Sequence, residues 1–87
     1  MVLGVYTDMS RKRSSALKPM SALIDAVMDG YVAWREASAG VETAYRRWRQ
    51  APLDERQHAV DQYFAALDRE EDAASEYRRL VELAEAA

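Results

Sequence analysis

A chain of 87 residues has room for one domain, and 12 basic against 15 acidic residues leave no overall polycation to draw nucleic acid. With no cysteine, disulfide frameworks and cysteine-ligated zinc are excluded. No apolar run approaches the roughly 20 residues that span a bilayer.

In chain order, residues 1–18 read as a flexible basic tail, carrying Arg11-Lys12-Arg13-Ser14-Ser15 and no apolar period to bury. The opening Val2-Leu3-Gly4-Val5-Tyr6 is too short for a signal-peptide core, and its basic residues follow it. A cytoplasmic location is therefore expected, with secretion left open.

From Pro19 the pattern becomes helical. Met20, Ile24, Val27, Tyr31, Trp34, Ser38, Val41, Tyr45 and Trp48 recur at alternating steps of four and three, and only Ser38 is polar. That is a heptad seam, and it predicts a helix over about 19–50 with Pro19 in its first turn. Pro52 disfavours helical backbone at Ala51, so a turn is expected at 51–52. A second helix over about 53–86 follows, opened by Pro52 with Asp54 and Glu55 favourable to its dipole. Its expected seam is Val60, Tyr63, Leu67, Glu70, Ala74, Tyr77, Val81 and Ala84.

So short a connection makes the helices antiparallel neighbours. The expected fold class is all-α, a coiled-coil-like hairpin of two long helices. Folding back at 51–52 sets Tyr45 against Val60, Tyr31 against Ala74, and Trp34 against Glu70 or Glu71. An echo of fourteen residues relates Tyr31-Val32-Ala33-Trp34 to Tyr45-Arg46-Arg47-Trp48, and Tyr63 to Tyr77. It restates the heptad period, since solenoid units are longer.

Three groups of residues are candidates for function. Glu70 falls on the expected seam, where a carboxylate needs a donor. Trp34 and Ser38 stand near that level, which predicts a polar contact that sets register. Arg46, Arg47, Arg49 and Arg56 gather at the hairpin tip around Trp48 as a possible anion-binding site. The segment from Asp54 onward holds ten acids and four arginines, so nucleic acid is not expected as a partner. The third group is a pair of small-residue stripes seven apart, including Leu23, Ala37 and Ala44 on the first helix and Ala66, Ala73 and Leu80 on the second. Neither stripe carries a charge. With Met28 and Phe64 beside them, they are expected to face outward and dock further helices, closing a four-helix bundle as a homodimer.

No catalytic set, cofactor site or metal site is expected. Glu55-x-x-His58 has the spacing of one ligand pair in two-metal helical bundles, but it is the chain's single histidine and arginines surround it.

Tyr45-Arg46-Arg47-Trp48, Ala51-Pro52 and Leu67-Asp68-Arg69-Glu70-Glu71 resemble short uncharacterised helical-hairpin proteins of actinobacteria, over about residues 28–83. Ten arginines against two lysines suit that resemblance. It implies a hairpin and no known activity. The chain also looks, more loosely, like the WXG family of type VII secretion substrates, acidic helical hairpins that dimerise. That likeness implies a secreted adaptor. Trp48-Arg49-Gln50 lacks the family's turn glycine, and Val81 stands where its export signal places an acid after Tyr77. A non-enzymatic interaction or scaffold module, acting on itself or on an unknown protein partner, is the function expected.

Overall fold

The computed structural model describes the backbone of residues 2–87 and the side-chain surroundings of residues 19–87. Two helices, α1 (Val2–Gln50) and α2 (Arg56–Ala86), form an antiparallel hairpin, and among the described residues there is no strand. No described helix is long and apolar enough to cross a membrane. Pro19 lies inside α1 rather than in its first turn. The expected flexible tail at residues 1–18 lies outside the residues whose surroundings are described.

The turn explains the register. α1 stops at Gln50, where the Ala51 amide donates to Trp48 O at 3.3 Å. Pro52 is extended at φ −59° and ψ 158°, and its carbonyl accepts from the Glu55 amide at 3.0 Å, winding Leu53–Glu55 into one 3-10 turn. The expected connection at 51–52 is thus lengthened by that turn, and each added residue moves the partner of a given α1 residue further along α2. Tyr45 consequently meets Tyr63 rather than Val60, and Tyr31 and Trp34 both meet Tyr77 rather than Ala74 and Glu70.

On α2 every residue of the expected seam is covered, whereas on α1 the interior differs from the expected seam. On α1 the covered positions include Leu23, Val27, Gly30, Trp34, Ala37, Ser38, Val41, Ala44 and Trp48, with Ala51 just past its end; on α2 they include Ala59, Val60, Tyr63, Ala66, Leu67, Glu70, Ala73, Ala74, Tyr77, Leu80, Val81 and Ala84. On both helices the small-residue stripe is covered alongside expected seam residues. Leu23, Ala37, Ala44, Ala66, Ala73 and Leu80, expected on an outer docking face, therefore lie inside the hairpin. Met20, Ile24, Tyr31 and Tyr45, expected inside, are exposed, while Met28 and Phe64 are exposed as expected.

Close approach is the physical reason. Small side chains let two helix backbones come together, and large ones hold them apart. A methyl built on Gly30 would stand 3.1 Å from Leu80 Cδ1 and 3.6 Å from the Tyr77 Cα, so backbone faces backbone there. Among the described residues the two buried ones are alanines, Ala44 at 8% and Ala66 at 1% exposure.

Gly30 and Gly40 differ in a way that melting curves can read. A methyl on Gly40 meets nothing within 4 Å, so Gly40→Ala is expected to raise stability by about 0.5–1 kcal/mol through helix propensity alone. Gly30→Ala should gain less, because the Leu80 side chain has to give way. A larger rise for Gly30→Ala than for Gly40→Ala would mean that the helices do not approach at Leu80.

Candidate functional site

With the alanine rows turned inward, the aromatic side chains gather in two clusters along the hairpin. Tyr31, Trp34 and Tyr77 form one aromatic cluster. Trp34 lies parallel to Tyr77, with ring centres 5.7 Å apart and planes 11° from parallel, and Tyr31 meets both rings edge-on at 6.1 and 5.7 Å. Tyr45, Trp48 and Tyr63 form a second, with centre-to-centre distances of 6.2, 5.8 and 5.4 Å. Phe64 extends this second cluster, 5.9 Å from Tyr63. The fourteen-residue echo thus builds two copies of one cluster, each taking a Tyr-x-x-Trp from α1 and a tyrosine from α2. Offset and edge-on aromatic pairs each contribute about 0.5–1.5 kcal/mol beyond the area they cover.

These rings are only partly covered. Tyr31 is 47% exposed, Tyr45 42% and Phe64 58%. Ser38 stands midway between Tyr31 and Tyr45, and Glu70 midway between Tyr63 and Tyr77, so both occupy the level between the clusters. Both are half-buried. The expected polar contact does not form: among the described residues no hydrogen bond joins Glu70 to Trp34 or Ser38, and Trp34 is occupied by Tyr77. The added 3-10 turn moves Trp34 away from the level of Glu70.

Each cluster borders a shallow groove. At the open end of the hairpin, Trp34 and Tyr77 share theirs with Ala74, Val81, Arg78, Glu82 and Glu85. Near the turn, Tyr45 and Trp48 share theirs with Arg49 and Arg56, and the Arg49 guanidinium sits 5.8 Å from the centre of the Tyr45 ring. A cation over an aromatic face is held by the ring quadrupole.

The four tip arginines do not all converge. Arg49 and Arg56 border the aromatic groove, whereas Arg47 lines a separate hollow at the turn with Asp54, Glu55 and His58. The Arg46 Nε donates to Glu42 O at 3.5 Å along its own helix. No group of three His, Asp or Glu side chains among the described residues is placed to hold a metal ion. The one salt bridge among them, Arg79 to Glu76 at 2.7 Å, lies within α2 and is more than half exposed. Its hydrogen bond holds the Glu76 carboxyl below the ordinary carboxylate range. That contribution is present at neutral pH and lost as the pH falls through the lowered pKa, and exposure to solvent keeps it small.

The echo stands in the sequence, but Tyr31 and Tyr45, expected in the interior, are exposed. The usable signal was the crowding of aromatic rings on one flank of the Trp34–Trp48 row, with only small side chains on the other. No family model, curated protein or solved structure matches this chain.

Proposed function

We propose that this chain is a non-enzymatic protein-interaction module that acts by covering the aromatic face of its hairpin with another polypeptide. One observation carries the reading: among the described residues no side chain larger than alanine is buried, while two aromatic clusters stand open on one side. Small domains that bury so little commonly gain their remaining stability from a partner. Contiguous apolar surface of this kind marks an interaction site rather than ordinary solvent-facing surface. Tyrosine and tryptophan suit it, because they cover large area with few rotatable bonds. The face offers rings, arginines and glutamates and no paired nucleophile and base, which supports binding over catalysis. The scattered arginines likewise support a protein partner over a nucleic acid.

A photo-crosslinking amino acid placed in turn at Tyr31, Phe64 and Arg69 tests the reading in the cells that make the protein. Adducts with a polypeptide are expected from positions 31 and 64 and not from the exposed position 69. No adduct from either aromatic-face position, or equal yield from all three, would overturn it.

A further inference from the structure

We infer that the aromatic face closes on a second copy of this chain, run antiparallel, about a two-fold axis that crosses the helices at the level of Ser38 and Glu70. This rests on the interaction reading and names the partner. The face is charged unevenly from end to end. Its groove near the turn carries Arg49 and Arg56 and no acid, while its groove at the open end carries Glu82 and Glu85 with Arg78.

Two hairpins can close face to face about a two-fold axis in two ways. An axis parallel to the helices keeps every residue at its own level, so Arg49 and Arg56 crowd the arginines of the other copy. An axis across the helices inverts the second copy and lays its glutamate end over the arginine end. Like charges facing each other oppose association and unlike charges steer it, so the antiparallel closure is selected. Closed two-fold dimers are also the commonest assembly of small soluble chains.

The register follows from the duplicated clusters. Tyr31 and Tyr45 are equidistant from Ser38, so inversion about that level places Tyr31 beside the partner's Tyr45 and Arg35 beside the partner's Glu42. On α2 the same axis passes between Glu70 and Glu71. There it sets Val60 against the partner's Val81, Leu67 against the partner's Ala74, and Arg56 against the partner's Glu85. Apolar rows meet apolar rows and opposite charges meet toward the ends, while Glu70 and Glu71 of the two copies come together at the axis, a like-charge contact that the end pairs and the apolar rows have to outweigh.

Light scattering after size exclusion, with the full chain at up to about 100 μM, gives the mass. Two chains per particle are expected. Arg56→Glu and Glu85→Arg should each weaken the dimer about tenfold, and the two together in one chain should restore it. Because the chain has no cysteine, Ser38→Cys offers a geometric reading under mild oxidation. It should give a disulfide-linked dimer, whereas Ala33→Cys on the outer edge should not. A dimer indifferent to the charge exchange and unlinked by Ser38→Cys would overturn the inference. A monomer would also overturn it, and the crosslinking experiment then decides the wider reading. Adducts from position 31 with a different protein would leave the interaction module standing, and no adducts would remove both.

Discussion

Replacing Ala66 with leucine is expected to destabilise the hairpin by about 1–3 kcal/mol, the usual cost of adding methylenes to a closed interface. In a domain of this size that lowers the thermal midpoint by roughly 5–15 °C. Ala66 is 1% exposed and belongs to the row that lets α1 and α2 approach. Three further heavy atoms have no void to enter there, so they must rotate neighbours off their rotamers or push the helices apart. Separation would in turn loosen both aromatic clusters, because Tyr63 and Tyr77 reach their α1 partners only across the closed seam. Ala44→Leu should behave alike, since Ala44 is the other buried residue among those described. Ala33→Leu, on an exposed position of the same helix, should leave the midpoint within the small range of surface substitutions. The experiment separates two placements of the alanine stripe. On an outer face leucine would be neutral or would strengthen docking by adding apolar area, so a rise in midpoint for Ala66→Leu would put the stripe back outside.

The hairpin itself was legible because its signals are local. An unbroken heptad pattern, a proline at the turn and charges matched to the helix ends all act within a few residues. Which flank of the Trp34–Trp48 row would turn inward was not legible in the same way. That row has an apolar neighbour on each side, Tyr31 and Tyr45 on one and Ala37 and Ala44 on the other. Hydrophobicity alone favours the larger residues. Two lone helices instead close on the smaller ones, because close contact over the whole length outweighs a few large groups held at a distance. The aromatic rings are left at the border, where they pack on one another and remain available. Register failed for a different reason. Pro52 marks the turn but does not reveal the extra 3-10 turn at Leu53–Glu55, and that addition was enough to replace a Trp34–Glu70 contact by a Trp34–Tyr77 stack. The candidate face was therefore half visible: its Tyr-x-x-Trp echo stands in the sequence, but its exposure depends on how the backbones approach.

Trp34→Ala is expected to remove about 2–3 kcal/mol, below the roughly 3–5 kcal/mol of a fully buried tryptophan because Trp34 is only half-buried. The loss combines the area that Trp34 covers with two aromatic pairs, the near-parallel stack on Tyr77 and the edge contact with Tyr31. A scaffold of this size rarely holds more than about 3–5 kcal/mol in its core, so the variant should be largely unfolded well below the wild-type midpoint, as read by far-ultraviolet circular dichroism. Trp34→Phe should recover part of the loss, since a smaller ring can still stack. A double-mutant cycle with Tyr77→Ala isolates the pair, and its coupling should be about 0.5–1.5 kcal/mol. Glu70→Ala supplies the contrast. No hydrogen bond joins Glu70 to Trp34 or Ser38, and alanine is the better helix former, so the midpoint should stay level or rise. If Glu70→Ala instead costs as much as Trp34→Ala, and the Trp34–Tyr77 cycle shows no coupling, Trp34 packs against Glu70 and the helices sit in the shorter register that a two-residue turn would impose.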